Sequence, residues 1–190
     1  MNTIFLALES LLTRYLNLHK AERDSLPTAQ FEEPWPSPCV ISTLESDEAP
    51  GSSNIQLWRP VKREADNIFA DLEKALERPF HTDIRQFYGS FWSNGICVER
   101  DDINFSLIQV WNEEDQEQLK ENLLGHAFAR IKGRLPLTFF IGCTGGNDML
   151  CLDNDSGQVV LEKPGRKAHK VLSPTLETFL LSLQPTLDTY

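Results

Sequence analysis

"VWNEEDQEQLKENLLGHAFARIKGRLPLTFFIGC", residues 110 to 143, sets a strongly signalled helix directly before an apolar extended run. Asn112 is placed to cap the helix, and Glu113, Glu114 and Asp115 fill its first turn, where the macrodipole favours negative charge. Arg130 and Lys132 occupy the last turn, and Gly133 can close it. Leu119, Leu123, Leu124, Ala127, Phe128 and Ile131 recur at helical spacing and predict the buried face. "LTFFIGC" then reads as a strand.

The same two kinds of element continue outward. Downstream, "DMLCL" and "GQVVLE" read as strands joined by "TGGN" and "DNDSG" turns. A last helix over about 174–184 is predicted with Ser173 as cap, Pro174 at its first position, Leu176, Phe179, Leu180 and Leu183 buried, and Pro185 as its stop. Upstream, "INFSLIQVW", "GICVE" and "RQFYGSFW" read as extended, and residues 61–77 predict a helix with Ala65, Ile68, Phe69, Leu72 and Leu76 on one face. "CVISTL" and "IQLW" predict a hairpin around the "ESDEAPGSSN" loop, entered through the extended "EEPWPSP". A first helix over about 3–20 buries Ile4, Leu8, Leu11, Leu12, Tyr15 and Leu16. The expectation is an α+β single domain over residues 1–190, its sheet largely antiparallel and flanked by helices.

A chain of 190 residues, 41% hydrophobic and 24% charged, is long enough to bury a core of its own. The N-terminal stretch lacks a basic leader region and Glu9 interrupts its apolar run, so it reads as a core helix and not an export signal. The net charge of −10 is unevenly spread: residues 31–60 hold five acids against one base, and residues 101–130 hold seven against two. Acid so concentrated repels phosphate backbones and attracts basic surfaces, which argues against a nucleic-acid partner.

Screened for chemistry, the chain offers little. Cys39 and His126 are candidates for a thiol dyad, but acids surround Cys39, the reverse of the electropositive setting that makes a thiolate, and packing is the better reading. Cys39, Cys97, Cys143 and Cys151, with His19, His81, His126 and His169, show no metal-ligand spacing. "DNDSGQ" starts like a calcium loop, but its glycine comes a residue early and Pro164 stands where the final acid belongs. "GCTGGND" lacks phosphate-loop spacing, and no cofactor is expected. What remains is acid: Glu113, Glu114, Asp115, Glu117 and Glu121 on the first half of one helix, with Asp101 and Asp102 before it and Glu45, Asp47 and Glu48 far upstream.

"PSPCVIST", "VWNEEDQEQLKENLLGH" and "LPLTFFI", in this order and spacing, resemble the Syd family of SecY-interacting proteins. The resemblance implies a SUKH-like fold and no catalytic activity. It further implies loose attachment to the cytoplasmic side of the inner membrane, indirectly through the translocon channel subunit SecY, beside a soluble cytoplasmic pool. A monitoring or regulatory role follows, with preference for uncomplexed or misassembled SecY, by an acidic concave surface that takes its basic cytoplasmic loops. Carried onto this chain, the implied binding residues are Asp102, Glu113, Glu114, Asp115 and Glu121, with Trp111, Gly125 and His126 as scaffold; Asp101, Glu117, Glu45, Asp47 and Glu48 join them on charge alone. The rival reading is a SUKH-type immunity protein that neutralises a basic toxin.

Overall fold

A computed structural model describes residues 3–30, 35–44, 55–63 and 67–187. Helix α1, Thr3–Arg23, buries Ile4, Ala7, Leu8, Leu11, Leu12, Tyr15 and His19, so the expected stripe is real except at Leu16, which is half-buried, and it runs one turn further than predicted. Strands β1 (Thr28–Gln30), β2 (Val40–Leu44) and β3 (Ile55–Trp58) form a small antiparallel sheet in the order β1-β3-β2. The β2–β3 pairing is the hairpin read from "CVISTL" and "IQLW", and β1 was not foreseen.

The predicted helix over 61–77 is corrected. Val61–Lys62 form β4, paired with β5 (Phe91–Trp92), and among the described residues of that span only Ala70–Leu76 is helical, as α2; Ala65 lies outside the described residues. Ahead of α2 the Asn67 carboxamide oxygen accepts from the Phe69 N–H at 3.1 Å, closing a local turn where the periodicity implied more helix. "RQFYGSFW" is also corrected. Thr82–Gly89 is helix α3, started by His81, whose Nδ1 accepts from the Asp83 N–H at 3.2 Å, and Ile84, Phe87 and Tyr88 are its buried face.

The main sheet has seven antiparallel strands. They are β6 (Ile96–Arg100), β7 (Ile103–Leu107), β8 (Thr138–Thr144), β9 (Met149–Asp153), β10 (Val159–Glu162), β11 (Lys170–Ser173) and β12 (Gln184–Pro185). Their order is β11-β10-β9-β8-β7-β6-β12. Ile108 N–H bonds Ile141 C=O and Ser93 N–H bonds Val110 C=O, so the extended run from 103 continues in one register to 110. At Gly142 an added Cβ would lie 2.5 Å from the Ser106 carbonyl, so β7 and β8 approach closely only because that position is bare.

Helix α4, Glu113–Lys132, lies against β8, and α5, Leu176–Ser182, lies against α1 and β11. The cap of α5 is corrected: Thr175 accepts from the Thr178 N–H, while Ser173 is the last residue of β11 and Pro174 precedes the helix. The predicted stop at Pro185 is corrected as well. α5 ends at Ser182, and Gln184–Pro185 pair with Val98–Glu99 at the sheet edge, where a proline costs no ladder bond. Leu176, Phe179, Leu180 and Leu183 are buried as expected, each worth about 1.5–3 kcal/mol of transfer free energy. Phe69, Phe80 and Phe139 stack in series between α2 and the sheet, at 5.0 and 3.9 Å between centroids.

Candidate functional site

The start of α4 is tied together by short polar contacts. Asn112 Oδ1 accepts from the Asp115 N–H at 2.8 Å, and Asp115 Oδ2 accepts from the Trp111 N–H at 2.8 Å, a reciprocal cap. The proline segment is pinned against it: Ser37 Oγ donates to Trp111 C=O at 2.6 Å and Asn112 Nδ2 donates to Pro36 C=O at 2.9 Å. Trp58 meets Trp111 edge-on at 5.9 Å and holds the junction from below. Two surface clefts result. One of about 470 Å³ is lined by Pro36, Ser37, Pro38, Trp92, Asn112, Glu113 and Glu114. Its neighbour, about 290 Å³, is lined by Ala29, Gln30, Trp35, Asn94, Trp111 and Asp115.

The acids of this region are not equivalent. Glu113, Glu114 and Glu121 are exposed, and Glu113 acts on the Arg63 guanidinium, whose pKa burial lowers while the carboxylate raises it. Arg63 sits 3.6 Å over the Trp92 ring and donates to Gln116 Oε1 at 2.6 Å, closing one side of the larger cleft. Asp115 is half-buried and spent on the cap. Glu117 pairs with Lys120 at 3.1 Å, and Asp71 takes the same ammonium at 2.7 Å, so Lys120 neutralises part of the expected face.

Asp101 and Asp102 form the two-residue turn between β6 and β7, both in the left-handed region at φ 52° and 61°, and Asp101 pairs with Arg100 at 3.2 Å. Eight residues of extended chain, about 26 Å at strand rise, separate this turn from the start of α4, so the two acid groups are not one cluster. Glu45, Asp47 and Glu48 lie outside the described residues. The aromatic and proline lining was missed in the sequence, although tryptophan and prolines beside "CVIST" and Trp111 beside the cap were its visible traces.

A profile of the family described as "Syd protein (SUKH-2)" matches residues 5–185. Among curated relatives, "Protein Syd" of Pseudoalteromonas atlantica is 36% identical over 186 residues, covering 97% of both chains. "Protein Syd" of Hahella chejuensis is 44% identical over 154 residues, covering 81% of this chain and 77% of its own. "Protein Syd" of Aliivibrio fischeri is 31% identical over 182 residues, covering 95% of both. The chain belongs to the Syd family.

Elsewhere on α4 of this Syd-family chain, a buried polar group was not foreseen. His126 Nε2 lies 3.2 Å from Thr138 Oγ1 and 3.6 Å from Glu162 Oε1, Thr138 donates to Glu162 at 3.0 Å, and Arg130 Nη1 lies 3.1 Å from Glu162 Oε2. With Cys151, the donor atoms of His126 and Glu162 fall within 4.8 Å of one another, the residues here that could hold a metal. Arg130 already supplies the positive charge that a cation would bring, and Thr138 donates to Glu162 Oε1, so the set fits a salt-bridged network better than a metal centre. Burial keeps His126 neutral, its pKa lowered to about 4, and pushes the Cys151 thiol well up.

This network also revises the predicted face of α4. Arg130 is 1% exposed, whereas Phe128 and Ile131 are 50% and 52% exposed. Cys39 is buried, and desolvation raises its pKa, the opposite of an activated thiol; its side-chain partner is Ser37, and His126 belongs to the network instead. The "DNDSG" stretch is a turn in which Asp153 Oδ1 accepts from the N–H groups of Asp155 and Ser156. Among the described residues no helix is long and apolar enough to cross a membrane.

Proposed function

We propose that the cleft at the start of α4 is where this Syd-family protein takes a basic cytoplasmic loop of SecY, with no catalytic step. The observation that carries the reading is Glu113 and Glu114, exposed and in no ion pair among the described residues, on the wall of a cleft lined also by Trp92, Pro36 and Pro38. Cytoplasmic loops of membrane proteins are rich in Lys and Arg. Exposed carboxylates speed and orient such an encounter, while rim charges alone add little affinity, so an apolar floor that receives the aliphatic stem of a Lys or Arg is the needed complement. Glu121 extends the acidic wall along α4, and Asp101 with Asp102 offers a second contact for a loop long enough to reach it. Attachment to the cytoplasmic side of the inner membrane then runs through SecY, and a free or misassembled channel, its loops uncovered, is the preferred target.

Co-sedimentation with SecY-containing membranes tests it. Glu113→Lys with Glu114→Lys is expected to abolish binding with the fold retained, and wild-type binding is expected to weaken as salt rises. Undiminished binding by the double variant overturns the proposal. Asp115 is left out of the test because its substitution removes the cap as well as a charge.

A further inference from the structure

Charge is divided along α4. Against the acids at its start, its end carries Lys132, followed at once by Arg134. The hairpin between β10 and β11, "KPGRKAHK", residues 163–170, holds Lys163, Arg166, Lys167 and Lys170 with His169 and no acid. These two segments adjoin: Arg130 Nε donates to Pro136 C=O at 2.8 Å and its Nη1 donates to Arg166 C=O at 2.6 Å, locking the last turn of α4 to the hairpin. Six exposed Lys and Arg of the chain's 18 therefore share one end of a molecule whose net charge is −10. Among the described residues, Glu162 near this end is paired with Arg130, and Asp148 lies 3.6 Å from His169. Phe128 and Ile131, one helical turn apart beside Lys132, stand half out in solvent.

From this juxtaposition we infer that the end of α4 and the 163–170 hairpin form a docking surface for an anionic lipid bilayer. A basic cluster carrying exposed phenylalanine and isoleucine suits a headgroup layer, which takes the cations at the phosphates and the apolar side chains below them. A nucleic acid would take the cations and leave Phe128 and Ile131 in water. The overall negative charge does not prevent contact. Along α4, Glu113 and Glu114 are about 28 Å away at 1.5 Å per residue and Glu121 about 16 Å, in each case about two or more screening lengths of about 8 Å in physiological salt. Lys170 stands on the edge strand of the sheet, where its charge also discourages edge pairing. The surface is separate from the acidic cleft and does not depend on SecY.

Flotation of the full chain with protein-free vesicles decides it. The chain is expected to float with vesicles of equal parts phosphatidylglycerol and phosphatidylcholine and to stay behind with phosphatidylcholine alone. Lys132→Glu, Arg166→Glu and Lys167→Glu together should lower partitioning on the order of 100-fold. Phe128→Ser with Ile131→Ser should lower it on the order of 10-fold with net charge unchanged. All five positions are exposed, and far-UV circular dichroism verifies the fold of each variant. Failure of the wild type to float, undiminished flotation of the triple charge variant, or equal retention on a DNA duplex at matched phosphate concentration overturns the inference. The acidic cleft is read separately: the triple variant should bind detergent-solubilised SecY as the wild type does.

Discussion

At its first turn α4 holds Glu113 and Glu114 in water, whereas near its last turn it buries Arg130, 1% exposed, against Glu162, 0% exposed. Both ends obey the same dipole preference, acid at the start and base at the end. They differ in what the charge can be used for. A buried ion pair has exchanged hydration for fixed partners, so its free energy is committed to the fold. An exposed carboxylate keeps its hydration and gives little to stability, which leaves it available to a partner.

The largest expected effect breaks the buried end. Arg130→Ala leaves Glu162 without its countercharge and should cost about 3–5 kcal/mol in urea unfolding, whereas Arg130→Met with Glu162→Leu should cost less than the single change. Next comes acid. His126 has a folded pKa of about 4 against the ordinary histidine value of 6.5, so the unfolded chain takes up that proton first. Its contribution is complete above pH 6.5 and is lost as the pH falls toward about 4, amounting to about 2–3 kcal/mol, and His126→Gln should flatten the stability profile across that window.

At the other end, Asp115→Ala removes half of the reciprocal cap and should lower stability by about 1 kcal/mol, a loss visible in thermal unfolding. Between the ends, an added Cβ at Gly125 meets nothing within 4 Å, so Gly125→Ala should raise stability by about 0.5–1 kcal/mol. The smallest change in stability belongs to Glu113→Lys with Glu114→Lys, under about 1 kcal/mol by the same unfolding measurement. A large loss there would erase the contrast between the two ends.

Legibility followed the range of the interaction. The cap of α4 and its acidic first turn are decided within a few residues and appear as expected; Gly133 ends the helix in a right-handed conformation, and the left-handed position after it is Arg134. The helix expected over 61–77 failed because Val61 and Lys62 pair with Phe91 and Trp92, which no local periodicity reports. α3 escaped notice because its cap is His81 and not a hydroxyl or carboxylate side chain. Asp101 and Asp102 look like any acidic pair until the β6–β7 register makes them the turn itself. Phe128 and Ile131 have the same spacing credentials as Leu119 and Leu123, yet only the latter two face the sheet.

The sequence by itself determined the antiparallel α+β class, most element positions, the acidic start of α4 and the resemblance to the Syd family, because caps, periodicity and motifs act over short distances. Only the tertiary structure decided which charges are free. It buried Arg130 against Glu162, spent Asp115 on a cap, paired Glu117 with Lys120, and set Glu113 and Glu114 on a cleft lined by residues from two other segments. Desolvation and ion pairing depend on what lies within a few ångströms in space, and for these groups the deciding neighbours include segments far away along the chain.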